Sequence, residues 1–328
     1  MTTTTGTTTT MAMTQAWRAA IAFFAATATS ASMAAAATVV PSPASQAPAP
    51  AASAPRVRVA IVRTARRVTR EAMLFSGGRF LADATVNFSA VVVEHGDERL
   101  LFDTGLGRRI DAQYAADMPR WMRPFFGYDA PVDPVRDQLE RAHVPPPALV
   151  VLSHAHWDHA SGLADFPEAE VALASEELAF VRAAERHAGS PWPSQVGLAS
   201  IRWKPLDLAA NPRPFEGFDR SLDLYGDGSA VLVAMPGHTP GSMGLFVRVA
   251  SGRRLFFVGD TVWNAGALAE GRPKFGPARW IVDGDAPGTR DAIERIRAAR
   301  RRDPRLVVVP AHDGAVQDAL GLFPKWIE

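Results

Sequence analysis

Short apolar runs rich in β-branched residues recur along the chain from residue 56 onwards, and they predict β-strands. The run at residues 56–62 is the first, and residues 86–105 predict a hairpin that turns near Gly96 and Asp97. The remaining predicted strands lie at residues 148–154, 229–238, 243–260 and 305–312. In several of these segments a histidine or an aspartate follows directly after the apolar run.

Residues with helical periodicity lie between these strands. They predict helices over residues 133–144, 175–187 and 289–302. Early hairpins followed by alternating strands and helices predict an α/β domain in which helices cover the sheets. Because a rigid scaffold usually displays its chemistry on loops, the residues just past the strand ends are the candidates for function.

The N-terminal part differs in composition from the rest of the chain. Arg18 is followed by an alanine-rich apolar run that ends in small residues, the layout of a secretory signal peptide. A membrane anchor is the alternative, but alanine and threonine make this run only weakly apolar. We therefore expect a leader over residues 1–40, a proline- and alanine-rich linker over 41–55 and one globular domain over 56–328. The predicted location is periplasmic or secreted, with no stable membrane insertion after the leader is removed.

Composition narrows the function classes. The 328 residues carry a formal net charge of +1, so no nucleic-acid partner is expected. The basic run at residues 297–302 fits the exposed face of a helix. Because the chain contains no cysteine, disulfides, thiolate metal sites and cysteine nucleophiles are excluded. Any metal must be held by histidine and carboxylate groups.

Residues 154–159 read HAHWDH, and three further strand ends carry a histidine or an aspartate. The candidate ligands are His154, His156, Asp158, His159, His238, Asp260 and His312. Alternate residues of an extended segment point to one side, so His154 and His156 can share one ion. A turn after them would let Asp158 and His159 face a second ion close by. Nitrogen and oxygen ligands without sulfur suit zinc, with manganese, iron or cobalt as alternatives.

The order of the segments LLFDTG, SHAHWDH, PGHTPGS, FVGDT and VVPAHD resembles the metallo-β-lactamase superfamily. The resemblance implies a four-layer αβ/βα sandwich with a dinuclear site, here two Zn²⁺, at one edge. Carried over by position, one ion would be bound by His154, His156 and His238, the other by Asp158, His159 and His312, with Asp260 bridging both. By the same resemblance, Asp103 in FDTG would support the site from behind.

The resemblance also implies hydrolysis of a small-molecule substrate by a hydroxide that bridges the metals, with Asp158 as the catalytic residue that orients it. True β-lactamases generally lack a bridging aspartate, so Asp260 favours a lactone or another carboxylic ester as substrate. N-acyl homoserine lactonases usually carry a tyrosine where this chain has Trp263, and the family often carries histidine where it has Ser242. Organophosphate or aryl-ester hydrolysis, β-lactamase activity and a metal-retaining binding protein without turnover remain alternatives.

Aromatic residues between FDTG and the histidine motif predict a substrate pocket. Trp121, Met122, Phe125 and Phe126 lie in the insert at residues 118–131 and could form an apolar lid. Two further tryptophans could add to the pocket walls, Trp157 and Trp263. The alternative is that these side chains only fill a satellite core.

Overall fold

Two β-sheets form the centre of the fold in the computed structural model, which describes residues 55–183, 187–210 and 212–328. The first sheet contains, in spatial order, β1 (Val57–Arg70), β2 (Asp83–His95), β3 (Glu98–Phe102), β4 (Leu149–Val151), β5 (Glu170–Ala174) and β6 (Arg202–Leu206). The second sheet contains β7 (Ser221–Asp223), β8 (Ala230–Ala234), β9 (Met243–Arg248), β10 (Arg254–Phe257) and β11 (Val307–Val309), in the order β11, β10, β9, β8, β7. The predicted leader, and the predicted linker except Pro55, lie outside the described residues.

The helices flank these sheets. They are α1 (Ile110–Asp117), α2 (Val135–Arg141), α3 (Trp157–Ala160), α4 (Ser175–Val181), α5 (Pro193–Val196), α6 (Ala265–Glu270), α7 (Gly276–Val282), α8 (Ala286–Arg302) and α9 (Gly314–Leu320). The three helices expected from periodicity correspond to α2, α4 and α8. In the described part of the chain, no helix is long and apolar enough to cross a membrane.

Three apolar clusters separate four layers. Val93 and Leu245 belong to the cluster between the two sheets. Leu139 of α2 packs on the outer face of the first sheet, and Ile296 of α8 packs on the outer face of the second. Full burial of such a side chain contributes about 1.5–3 kcal/mol. The order of layers is helix, sheet, sheet, helix, which confirms the predicted α/β class and the αβ/βα sandwich.

Two predicted strands needed correction. β1 does not end near residue 62 but pairs with β2 as far as Arg70, because backbone pairing holds the polar second half of the strand in the sheet. The run at residues 243–260 is not continuous but forms the antiparallel strands β9 and β10. Gly252 lies in the turn between them with a positive φ of 83°, a conformation that glycine adopts without strain.

Four strands end close to one another and position the candidate site. β8 and β10 run in the same direction in the second sheet, and β11 is parallel to β10, so all three end at one edge. β4 of the first sheet ends at the same place, where Met243 N donates a hydrogen bond to Ser153 O at 2.9 Å. The loops after β4, β8, β10 and β11 carry the candidate ligands.

Candidate metal centre

Seven buried histidine and aspartate side chains converge at this edge, and they are the seven that the sequence nominated. Three groups have potential ligand atoms that all lie within 4.8 Å of one another: His154, His156 and His238; His154, His159 and Asp260; Asp158, His159 and His312. The first and third groups match the two ligand sets expected from the resemblance. The structure therefore places the side chains together, while their roles as ligands stay a prediction.

Asp260 lies between the two groups. Its Oδ1 is 3.2 Å from His159 Nε2 and 3.0 Å from His312 Nε2. Its Oδ2 is 3.6 Å from His238 Nε2. A carboxylate with one oxygen towards each group is placed as a bridging ligand would be.

The local backbone explains how one short motif serves both groups. His154 and Ala155 follow β4, and His156 is extended, with φ −68° and ψ 161°. The short helix α3 begins at the next residue, Trp157, and carries Asp158 and His159 towards the second group. The predicted change from extended chain to turn is thus present, as a helical turn.

Asp103 supports the cluster from the first sheet. It accepts hydrogen bonds from Ser153 N at 2.7 Å and Ser153 Oγ at 2.8 Å, and its Oδ2 is 2.8 Å from His159 Nδ1. This contact leaves His159 Nε2 directed at the centre. A carboxylate behind a ligand histidine fixes the ring orientation and tautomer. The position of Asp103 fits the supporting role that the resemblance implied.

Glu177 on α4 was not identified from the sequence. Its fully buried carboxylate accepts hydrogen bonds from Ala155 N at 2.8 Å, Thr239 Oγ1 at 2.7 Å and Gly241 N at 3.0 Å. It therefore ties the loop after β4 to the loop after β8. A Cβ atom at Gly241 would lie 2.3 Å from Glu177 N, which explains the glycine. No motif marks this glutamate, because its role depends on two loops that are distant in sequence.

Lys274 and Asp283 were also missed. Asp283 Oδ1 lies 2.8 Å from His238 Nδ1 and 2.5 Å from Lys274 Nζ. Both side chains are buried, at 1% and 0% exposure. They stand in segments that carry no ligand motif, and no sequence signal separates them from ordinary surface charges.

The electrostatics of the cluster fit cations. Burial, followed by the neighbouring imidazoles, lowers the pKa of His154 well below its usual value, and burial lowers the pKa of His156 to about 3. Burial opposes protonation of His312 as well, but Asp260 and Asp158 raise its pKa to about 10. The two carboxylates therefore favour positive charge at the centre, and either protons or metal ions can supply it.

Two atoms at the centre lack a hydrogen-bond partner within the described residues. They are His159 Nε2 and Asp260 Oδ1, which face each other without hydrogen-bond geometry. Buried polar atoms are normally satisfied, so such atoms need an explanation. A divalent cation would satisfy both, and nitrogen with oxygen donors suits zinc. The residues present therefore fit divalent metal ions.

A cavity of about 480 Å³ opens beside the cluster. His156, Asp158, Asp260 and His312 line one end. The wall includes all six pocket residues that the sequence suggested: Trp121, Met122, Phe125, Phe126, Trp157 and Trp263. Sequence reasoning missed further wall residues, which are apolar side chains of α7 and Trp192 among others. These come from segments far apart in the chain.

The five aromatic residues differ in depth. Trp121 and Phe125 are 58% and 60% exposed, which suits the cavity mouth. Trp157 is deeper and stacks on Trp192, with ring centroids 5.3 Å apart. Trp263 donates from Nε1 to Asp260 Oδ2 at 2.9 Å. Its polar atom therefore supports the carboxylate that lies between the two ligand groups.

Comparisons with known proteins agree with this fold. A family model described as the metallo-beta-lactamase superfamily matches residues 86–312. A probable metallo-hydrolase of Mycobacterium tuberculosis is 30% identical over 241 residues, which cover 68% of this chain and 73% of that protein. An N-acyl homoserine lactonase of Azorhizobium caulinodans is 29% identical over 125 residues, 36% of this chain and 44% of that one.

A solved structure with a similar fold is an N-acyl homoserine lactone hydrolase with its product bound at the catalytic metal centre. It has a TM-score of 0.62 and 15% sequence identity, and the match covers 82% of this chain and 98% of that one. At this identity the similarity establishes the fold alone.

Proposed function

The chain belongs to the metallo-β-lactamase superfamily and is a metal-dependent hydrolase, and from that premise we propose that it is a dinuclear zinc enzyme cleaving a lactone or another carboxylic ester with a bulky apolar group. The observation that carries the proposal is the apolar cavity that ends at the histidine and aspartate cluster. Its volume lies in the usual range for small-molecule sites.

Each side chain of the cluster has a proposed role. His154, His156 and His238 would hold one ion, Asp158, His159 and His312 the other, with Asp260 shared between them. When bound, such ions polarise a carbonyl and lower the pKa of water to about 7. Asp158 lines the cavity, so its carboxylate can accept a hydrogen bond from the attacking water and orient it.

The cavity wall supports the proposed substrate class. Aromatic and aliphatic side chains dominate the lining, and Arg67 is the one lysine or arginine among the lining residues in the described part of the chain. Transfer of an acyl chain or an aryl group from water into this cavity would be favourable, by about 25 cal/mol per Å² of apolar surface buried. A highly charged substrate would lose its hydration without a matching partner.

Trp263 favours a second candidate, an aryl ester or an organophosphate triester. Its indole N–H already donates to Asp260, and it offers no hydroxyl to the ring oxygen of a lactone. An open-chain ester with an acidic leaving group needs less assistance at the leaving oxygen. Lactone and aryl-ester substrates are therefore compared directly in the test.

Export is a further part of the proposal. The layout of residues 1–40 supports a periplasmic or secreted protein. Cell fractionation with antibody detection is the test, together with mass determination of the N-terminus. A full-length protein found with the cytoplasmic fraction would contradict export.

The decisive experiment uses the zinc-loaded protein and follows acid release in a pH-stat. The panel contains acyl homoserine lactones of increasing chain length, aryl esters, an organophosphate triester and a β-lactam, each with and without a chelator. We expect chelator-sensitive turnover of an apolar lactone or ester, restored by zinc. No turnover of any substrate with about two zinc ions bound per chain would contradict ester hydrolysis and support a metal-retaining binding protein.

The cavity mouth can be tested separately. Replacing Phe125 and Phe126 by alanine should lower kcat/KM for long-chain or aryl substrates about 10-fold, because burial of a substantial part of an aromatic ring is worth roughly 1–2 kcal/mol. Short-chain substrates should change less. Phe80→Ala is the matched control, since Phe80 is 73% exposed and does not line the cavity. Equal kcat/KM values in the double variant and the wild type would exclude a role in substrate binding.

A further inference from the structure

The buried pair Lys274 and Asp283 lies directly behind the histidine cluster, outside the residues that would bind the metals. Lys274 Nζ is 2.5 Å from Asp283 Oδ1, and neither side chain is more than 1% exposed. Lys274 follows α6, and Asp283 follows α7. Neither residue lines the cavity, so neither is placed to touch substrate.

Stability is a weak explanation for such a pair. Taking a lysine and an aspartate out of water costs about as much as their attraction returns, and apolar replacements of both are often neutral or stabilising. The contacts of Asp283 point elsewhere. Its Oδ1 faces both Lys274 and His238, while its Oδ2 has no hydrogen-bond partner among the described residues.

The contact with His238 selects one tautomer. A neutral imidazole carries one N–H, and two groups lie beside Nδ1: the Asp283 carboxylate, an acceptor at 2.8 Å, and the Lys274 ammonium, a donor at 3.1 Å. The hydrogen on Nδ1 follows from the shorter contact, because Lys274 Nζ has a still closer acceptor in Asp283 Oδ1 at 2.5 Å. With the hydrogen on Nδ1, the lone pair is on Nε2. That nitrogen is 3.1 Å from His154 Nε2 and points into the first ligand group. The opposite tautomer would direct a hydrogen at the place where an ion would bind.

Backbone hydrogen bonds hold Asp283 in this position. Gly284 N donates to His238 O at 3.0 Å, and Asp285 N donates to Gly237 O at 2.8 Å. The segment after α7 is therefore attached to the same loop that carries His238. The carboxylate and the imidazole keep a fixed distance because their backbones are joined on one side and Lys274 holds Oδ1 on the other.

Lys274 also balances charge. Its ammonium group neutralises Asp283, so the carboxylate orients His238 without adding a full negative charge behind it. The same Nζ lies 5.5 Å from the centre of the Trp263 ring, whose N–H supports Asp260. Lys274 thus contacts Asp283, which supports His238, and Trp263, which supports Asp260.

We propose that Lys274 and Asp283 are a pair of positioning residues. Asp283 holds His238 with Nε2 towards the cluster, and Lys274 keeps Asp283 in place and balances its charge. Together the pair sets how tightly the group His154, His156 and His238 retains its ion. The inference rests on the proposed metal site but not on the proposed substrate.

The test measures zinc retention in zinc-buffered solutions and the imidazole nitrogen signals of His238 by NMR in the zinc-loaded protein. The main variant combines Lys274→Met with Asp283→Leu, which avoids leaving a lone buried charge. We expect the metal-free variant to unfold near the wild-type temperature, because removal of the two buried charges offsets the acceptor that His238 Nδ1 loses. Its zinc affinity for one of the two equivalents should fall about 10- to 100-fold, and the signal of the His238 Nδ1–H should be lost.

Two single variants complete the design. Asp283→Asn keeps an oxygen that can accept from Nδ1 but removes the charge, so a smaller loss of zinc affinity is expected, with the Nδ1–H signal retained. Glu94→Gln is the matched control, because Glu94 is a buried carboxylate paired with Arg58 and Arg99 and is not part of the cluster. It should change stability without changing zinc affinity.

Wild-type zinc affinity and an unchanged His238 signal in the double variant would overturn the proposal. An equal loss of zinc affinity in Glu94→Gln would also overturn it, because the effect would then reflect general destabilisation. If the double variant does not fold, Asp283→Asn decides the question. Wild-type zinc affinity together with an altered His238 tautomer in that variant would overturn the proposal, because zinc affinity would then not depend on the tautomer. None of these readouts uses a substrate, so failure of ester hydrolysis leaves them unaffected.

Discussion

The two sides of the cluster hold a histidine by a carboxylate at the same distance but in different electrostatic surroundings. His159 Nδ1 lies 2.8 Å from Asp103, and His238 Nδ1 lies 2.8 Å from Asp283. Asp103 is otherwise bound by the neutral donors of Ser153, whereas Asp283 is bound by the cation Lys274. The nitrogen–oxygen distance is the same in the two contacts, but only Asp283 has a cation beside it.

The consequence is visible in the direction of the pKa shifts. Burial lowers the pKa of both histidines. At His159 the carboxylates of Asp103, Asp260 and Asp158 outweigh burial and raise the pKa well above its usual value. At His238 the charge of Lys274 adds to burial, and the pKa is lowered. One imidazole–carboxylate contact therefore favours a cation and the other a neutral ring.

The largest expected effect tests this asymmetry on the Asp103 side. Asp103→Ala would leave the backbone N–H of Ser153 and Nδ1 of His159 without their acceptor, would remove the carboxylate from the Ser153 hydroxyl, and would place alanine at a φ of 59°. We expect the free energy of unfolding of the metal-free protein to fall by about 3–5 kcal/mol in urea titrations. A loss no larger than that of the Lys274→Met, Asp283→Leu variant would contradict the difference between the two sides.

The next effect concerns the tie between the sides. Glu177→Gln replaces the carboxylate by an amide. In the wild type, one carboxylate oxygen accepts from Gly241 N and Thr239 Oγ1, and the other accepts from Ala155 N. Both backbone N–H groups then lose a charged acceptor, and one of them faces the amide NH₂ and has no acceptor at all, so the free energy of unfolding should fall by about 1–3 kcal/mol. Glu176→Gln is the neighbouring control, because Glu176 is 41% exposed in its ion pair with Arg220. Equal stability of both variants would exclude a tie through Glu177.

A smaller effect is expected at the shared carboxylate. Trp263→Phe keeps an aromatic ring but removes the N–H that donates to Asp260 Oδ2. A hydrogen bond to a charged group contributes about 1.5–3 kcal/mol. Because Trp263 makes this bond without metal as well, only part of that value affects zinc binding, and zinc affinity should fall about 10-fold or less. Trp280→Phe is the control at an 81% exposed tryptophan. Zinc affinities that match in the two variants would show that Asp260 does not depend on Trp263.

The smallest effect compares the cluster with the surface. His95 Nε2 and Asp227 Oδ2 are also 2.8 Å apart, but the Asp227 side chain is 38% exposed. Burial opposes ionisation of Asp227 and is the largest single influence, but hydrogen bonds from His95 and Ser229 together outweigh it and lower the pKa to about 2. Because the pKa is lower in the folded state, this stability is present above the unfolded value of 3.8 and is lost as the pH falls from 3.8 towards about 2.

Asp227→Asn should accordingly lower the free energy of unfolding near pH 7 by less than about 1 kcal/mol, since exposed pairs are screened by solvent. The difference from the wild type should shrink as the pH is lowered from about 5 to about 3. Thermal unfolding across this range measures it. A difference that grows in acid would contradict the assigned direction.

Much of the fold was predictable because strand and helix periodicities are local properties. The hairpin of β2 and β3 turns at Gly96 as expected, and α2, α4 and α8 follow the apolar spacing. β5, β6 and β7 were not predicted. β6 has mostly exposed and half-buried residues, and β7 is only three residues long, so neither carries a clear apolar pattern.

By itself, the sequence determined which residues can act as ligands, because seven histidines and aspartates follow strand ends and no cysteine competes with them. Only the tertiary structure decided how those side chains are supported. Glu177, Lys274 and Asp283 reach the cluster through contacts with residues 22–64 positions away in the chain. Their electrostatic interactions with the cluster are strong only because the side chains are buried, and burial depends on the packed fold.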